Sequence, residues 1–187
     1  LVPRPDTETL IEEAIRLYPD RGLPLWIADL GSGSGAILVA ALTEFPGATG
    51  IGFESSGDAF VWARRNAQTL MPSRAEIRLA DWSQATGPFD LVFSNPPYIP
   101  TAQIGALAPD VRDHEPRAAL DGGPDGLDAY RELGRRLPGL LKPGGHAVLE
   151  IGAGQAQAVE PLFRSLRIVR LAPDLAGTPR AVVLQKP

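Results

Sequence analysis

Asn95-Pro96-Pro97-Tyr98 carries the most specific chemistry in this 187-residue chain. An amide or aromatic amine nitrogen shares its lone pair with a π-system and is a poor nucleophile. The Asn95 side-chain oxygen and the Pro96 carbonyl can each accept one N–H of a planar –NH2 group. That fixes the nitrogen and favours the lone pair localising on it, and such positioning supplies several kcal/mol of a barrier. The prolines lack N–H donors and hold φ at roughly −65°, which keeps the carbonyl turned inward. Tyr98 offers a flat face to an amide or a base. The arrangement would suit transfer of an electrophilic methyl to that nitrogen, as from a sulfonium donor. It needs no metal, and no strong base, because the nitrogen's proton acidifies as the methyl is acquired. Asn95, Pro96, Pro97 and Tyr98 are therefore the candidate catalytic residues. A rigid strand-ending turn with a capping Asn would use the same letters, so the surroundings matter.

Asp29-Leu30-Gly31-Ser32-Gly33-Ser34-Gly35-Ala36 lies between a strand-like and a helix-like segment. Glycines there let the backbone turn tightly and approach a ligand, and the helix N-terminus favours a carboxylate or phosphate. Glu54 closes the next strand, where a carboxylate can accept hydrogen bonds from both ribose hydroxyls. Asp81 and Trp82 follow the third strand and can meet an adenine edge or face. Asp29 can orient the loop or meet a ligand ammonium. The candidate cofactor-binding residues are Asp29, Gly31, Ser32, Gly33, Ser34, Gly35, Glu54, Asp81, Trp82 and Asn95; no metal site is expected. A dinucleotide such as NAD satisfies the same glycine and acid pattern. It leaves the Asn-Pro-Pro-Tyr turn unexplained.

Alternating segments must position these groups. Helices are predicted over about 6–18, 36–45, 58–70, 127–141 (broken late by Pro138) and 155–165. Strands are predicted over 25–30, 48–53, 76–79, 89–94, 146–151, 167–172 and 180–185. The pattern implies an α/β fold, a seven-stranded mostly parallel sheet with helices on both faces. The last two strands leave no room for a helix between them and should form an antiparallel edge hairpin. The connection 99–126 is long, and loops of that length are often functional. Within it, Asp113, Glu115 and Arg117 can pair with each other or order the rim of the site. His114 and His146 read as surface or structural residues.

The hydrophobic fraction is 44% and the charged fraction 21%, as in an ordinary globular domain. No apolar run is long enough for a membrane span and no signal peptide opens the chain, so a cytoplasmic location is expected. Without cysteine there is neither a disulfide nor cysteine-ligated zinc. A net charge of −4 argues against a surface built around many phosphate contacts, and no stable nucleic-acid binding is expected.

The sequence resembles the HemK/PrmC family, the protein-(glutamine-N5) methyltransferases that modify peptide chain release factors. The match lies in Leu1 through Glu8, Asp29 through Gly35, Asp81-Trp82 and Ser94 through Pro100. It continues in Val111 through Gly123, Asp125-Gly126-Leu127, Leu141 through Gly145, Glu150-Ile151-Gly152 and Asp174 through Gly177. Asn-Pro-Pro-Tyr alone is shared with DNA adenine methyltransferases; the opening and the 111–127 segment resemble the release-factor enzymes. The resemblance implies a class I, Rossmann-like methyltransferase that uses S-adenosyl-L-methionine. Its substrate would be the glutamine amide nitrogen in the Gly-Gly-Gln motif of release factors. Gly31 to Gly35, Glu54, Trp82 and Asn95 would touch the cofactor, and Asn95 to Tyr98 would hold the glutamine.

Two departures stand out. The family usually has Asp where this chain has Glu54, whose longer arm should still reach ribose. Family members also carry an N-terminal helical domain that engages the release factor. Residues 1–187 are expected to be a single catalytic domain without it. The alternatives are a DNA adenine-N6 methyltransferase, which would flip its base into the same pocket, and methylation of another protein glutamine.

Overall fold

The run Leu91-Val92-Phe93 shows how the interior is divided. Leu91 and Phe93 pack into one buried cluster with Leu10, Leu38, Leu42 and Phe45, whereas Val92 packs into another with Tyr130, Leu133, Leu137 and Phe163. Side chains alternate across a strand, so a strand apolar at every position has both faces covered. The computed structural model describes residues 8–174 and 176–187. The parts of the predicted opening helix and of the family-like segments that fall on residues 1–7 and 175 lie outside them.

The elements run α1 (Glu8–Leu17), β1 (Trp26–Leu30), α2 (Ala36–Glu44), β2 (Thr49–Glu54), α3 (Gly57–Leu70), β3 (Ala75–Leu79) and β4 (Phe89–Ser94). After the long connection, which holds the short helix α4 (Pro109–Arg112), come α5 (Asp128–Leu140), β5 (Leu141–Glu150) and α6 (Ala156–Val159). The final strands are β6 (Arg167–Pro173) and β7 (Pro179–Gln185). They form one seven-stranded sheet in the order β3-β2-β1-β4-β5-β7-β6. The pairs β1–β2, β2–β3, β1–β4 and β4–β5 are parallel, and β7 is antiparallel to both β5 and β6. Residues of α1 and α2 cover one face and those of α5 the other. This is the predicted class I architecture with its antiparallel edge hairpin.

Two predicted helices differ from expectation. Pro138 does not break α5: the helix continues to Leu140, and the Leu141 amide still bonds the Leu137 carbonyl. The missing bond is outweighed by burial of Leu133, Leu137 and Leu140 on the sheet. Conversely, the helix expected over 155–165 is a single α turn followed by a 3-10 turn, Glu160–Phe163. Pro161 lies at the start of that tighter turn, while Val159 and Phe163 are buried. The fifth strand also begins earlier than expected, at Leu141, through an irregular register against β4.

The chain winds outward from β1 to β3 and then returns to β4 on the other side of β1. That reversal opens a crevice beyond the carboxyl ends of the strands. Register aligns those ends: Leu30 faces Phe53 and Ser94, and Glu54 faces Leu79. The glycine loop, Glu54, Asp81-Trp82 and Asn95 through Tyr98 therefore all leave the sheet along one edge.

Candidate functional site

The loop after β1 is stitched to the end of β2. The Gly31 and Ser32 amides both donate to the Phe53 carbonyl at 2.9 Å. The Gly33 amide donates to Glu54 Oε2 at 2.7 Å, and the Ser56 amide to Glu54 Oε1 at 2.7 Å. From α3, Asn66 Nδ2 donates to the Ser34 carbonyl at 3.0 Å. Gly31 has φ of 75°, a conformation that side chains resist, and a Cβ there would lie 3.2 Å from Trp82 Cζ3. Gly35, with φ of 78°, lets α2 approach Ala63 of α3.

On the facing side, the Ser94 hydroxyl donates to the Leu30 carbonyl at 2.7 Å, locking the end of β4 to β1 immediately before Asn95. Asn95 is half-buried and Pro96 buried. Tyr98 Oη donates to Glu150 Oε1 at 3.2 Å. Asp81 caps the 3-10 turn Trp82–Gln84 by accepting from the Ser83 amide at 2.8 Å, and its side chain stays exposed.

These segments enclose a cavity of about 400 Å³. Its walls include Gly31, Ser32, Gly33, Ser34, Glu54, Asp81, Trp82 and all four residues from Asn95 to Tyr98. Two residues singled out from sequence do not line it. Gly35 is held against α3. Asp29 lies fully buried behind the loop, with no hydrogen-bond partner for either carboxylate oxygen among the described residues. Burial pushes its pKa up to about 7; the Leu38 amide dipole, which does not make a hydrogen bond to it, pulls it down and the Glu54 charge pushes it further up. A buried carboxylate without a hydrogen-bond partner tends to hold its proton.

Glu115 stands at the rim, one of the two roles expected for it, but the rest of its side of the wall was not identified from sequence. Glu115, Pro116, Ala118, Ala119 and Leu120 of the long connection close one side of the cavity. Their approach follows from a parallel bridge between Ile99 and Asp121, supported by the Thr101 hydroxyl donating to Asp121 Oδ1 at 2.6 Å. The apolar run Ala118-Ala119-Leu120, directly after the mostly charged stretch Arg112 through Arg117, was the available signal. The expected pairing among Asp113, Glu115 and Arg117 is different in detail: Asp113 pairs with Arg112, and Arg117 with Asp121. His114 is exposed. His146 meets Tyr18 Oη at 3.0 Å beside the Asp90 carbonyl, and burial lowers its pKa.

Among the described residues the cavity lining holds three carboxylates, Glu54, Asp81 and Glu115, and neither lysine nor arginine. Ile37, Phe53, Ala80 and Trp82 supply apolar wall. Such a cavity suits a cationic ligand with a flat apolar part.

The profile of the family described as Methyltransferase small domain matches residues 19–109. The release factor glutamine methyltransferase of Caulobacter vibrioides is 49% identical over 98% of this chain and 65% of its own length. That of Cereibacter sphaeroides is 45% identical over 100% of this chain and 67% of its own length. Among solved structures, the release factor-specific protein-(glutamine-N5) methyltransferase of Alicyclobacillus acidocaldarius superposes with a TM-score of 0.60 at 29% identity. It matches 99% of this chain and 94% of its own. The chain spans about 65% of the length of the curated relatives it matches first. With 45% identity over the whole chain and 67% of that relative's length, the chain belongs to the release factor glutamine methyltransferase family.

Proposed function

We propose that this chain transfers a methyl group from S-adenosyl-L-methionine to the side-chain amide nitrogen of the glutamine in the Gly-Gly-Gln motif of peptide chain release factors. The observation that carries the reading is the convergence of Asn95 through Tyr98 with the glycine loop and Glu54 on one cavity. Family membership supports the choice of substrate. When bound, the cofactor supplies a methyl group on a positively charged sulfur.

The residues present fit that group. Gly31 through Ser34 and Glu54 form the wall at the end of β1 and β2, where Glu54 keeps lone pairs for ribose hydroxyls beyond its two bonds to backbone amides. Asp81 and Trp82 offer a hydrogen-bond acceptor and a ring face to a purine.

Asn95 does the chemical positioning. Its side-chain oxygen and the Pro96 carbonyl each accept one N–H of the glutamine amide, which holds the nitrogen in place and draws its lone pair out of conjugation. Tyr98 forms the wall against which the amide plane lies. The apolar surroundings strengthen these hydrogen bonds. We place this activity in the cytoplasm; no helix among the described residues is long and apolar enough to cross a membrane.

The deciding experiment is radiolabelled methyl transfer to a release factor, to its Gln→Ala variant in the Gly-Gly-Gln loop, and to duplex DNA. Label on the intact factor alone is expected. Label on DNA would assign the chain to adenine methylation instead, and equal label on the Gln→Ala variant would move the target to another residue.

A further inference from the structure

Tyr98 is gripped at both its ends by two residues that do not line the cavity. Its phenol donates to Glu150 Oε1 at 3.2 Å, and its backbone carbonyl accepts from Gln155 Nε2 at 2.9 Å. Glu150 ends β5 and is only 1% exposed, an expensive place for a carboxylate unless it is hydrogen-bonded. Its own carbonyl accepts from Tyr130 Oη at 3.1 Å, which ties this strand end to α5. Gln155 Oε1 accepts from the Gly152 amide at 3.0 Å, so the Gln155 amide is oriented before it reaches Tyr98. Two glycines make the grip close. A Cβ on Gly126 would lie 2.4 Å from the Tyr98 carbonyl oxygen, and one on Gly152 would lie 3.0 Å from Tyr98 Cδ2.

Resting on the proposed glutamine methylation, we propose that Glu150 and Gln155 are positioning residues that set the Tyr98 ring, and with it the plane of the acceptor amide. The peptide after Pro97 has left the sheet, so the bonds that shape the ladder no longer hold it. The Gln155 bond holds the Tyr98 carbonyl there, while the Ile99 amide bonds the Leu120 carbonyl at 3.0 Å. Glu150, as an acceptor, makes the Tyr98 hydroxyl donate away from the cavity, so that the ring face is what the acceptor meets. A misplacement of about 1 Å at such a site costs roughly 100-fold in rate without touching the cofactor's contacts.

The test compares methyl-transfer kinetics on a release factor with calorimetric binding of S-adenosylhomocysteine. The variants are Glu150→Ala, Glu150→Gln, Gln155→Ala, Tyr98→Phe and Tyr98→Phe/Glu150→Ala, each checked by thermal denaturation. Glu150→Ala and Gln155→Ala are expected to lower kcat by roughly 10- to 100-fold, with S-adenosylhomocysteine affinity within about twofold of wild type. Glu150→Gln, which keeps an acceptor oxygen, restores most of kcat. In the Tyr98→Phe background Glu150→Ala adds little, because the bond it serves is already gone. If Glu150→Ala does not fold, Glu150→Gln, Gln155→Ala and Tyr98→Phe decide the matter. Wild-type turnover with kcat unchanged in the Glu150 and Gln155 variants overturns the positioning role alone. Additive effects of Tyr98→Phe and Glu150→Ala, or a parallel loss of cofactor affinity, also overturn it. Absence of wild-type turnover on the release factor overturns the underlying reading.

Discussion

Glu54 Oε2 accepts the Gly33 amide at 2.7 Å, so the carboxylate that ends β2 is bonded directly to the glycine loop that follows β1. Its other oxygen holds the Ser56 amide at the start of α3. One side chain thus organises three segments of the cavity wall.

Glu54→Ala removes a charge-assisted hydrogen bond and a candidate ribose acceptor together. Bonds to charged groups are worth about 1.5–3 kcal/mol, so S-adenosylhomocysteine affinity is expected to fall by at least about tenfold. Isothermal titration calorimetry reads this directly. Unchanged affinity would remove Glu54 from the binding site.

Asn95→Ala is expected to separate chemistry from binding. Turnover on a release factor should drop by about 100-fold or more while S-adenosylhomocysteine binds within a few-fold of wild type. Single-turnover methyl transfer alongside calorimetry makes the comparison. Retained turnover would sink the positioning mechanism.

Asp29 makes the unliganded protein sensitive to pH. Its folded-state pKa is about 7, against an ordinary value of 3.8, because the charged form is buried. The folded state therefore holds a proton that the unfolded chain releases, and stability declines as pH rises from about 4 to about 7. The full decline is of order 4 kcal/mol. Asp29→Asn should flatten this slope and raise the melting temperature at pH ~8 relative to wild type. Urea denaturation of the unliganded protein across this range checks it, and an equal slope in the variant would rule out Asp29 as the cause.

Gly31→Ala places a Cβ at positive φ and 3.2 Å from the Trp82 ring. The backbone strain costs about 1–2 kcal/mol. Because the loop and Trp82 both line the cavity, cofactor affinity should fall as well. Thermal denaturation with Trp fluorescence follows both effects, and a wild-type melting temperature would contradict the strain.

Much of the fold is written locally. Leu91 through Phe93 of β4 and Trp26 through Ala28 of β1 are apolar at every step, which requires a sheet covered on both faces. Glycines between a strand and a helix mark a turn that few other residues can make. The ends of α5 and of the helix expected over 155–165 were less legible. Pro138 is tolerated because α5 buries Leu137 and Leu140, and the second segment shortens around Pro161 because Phe163 must reach the core. In both places packing outweighs local propensity.

By itself the sequence determined the fold class, the family, and the chemistry available to Asp29, Gly31 to Gly35, Glu54, Asp81-Trp82 and Asn95 to Tyr98. Each of these rests on residue type and short spacing, which local sterics and hydrogen-bonding capacity translate directly. Tertiary structure decided which of them meet. Asp29 and Gly35 stand behind the wall, Glu115, Pro116 and Ala118 to Leu120 arrive from the long connection through the Ile99–Asp121 bridge, and Glu150 and Gln155 close on Tyr98 from the end of β5 and the turn after it. Those contacts join residues tens of positions apart, brought together by parallel strand pairing and sheet order, and no local pattern encodes such a meeting.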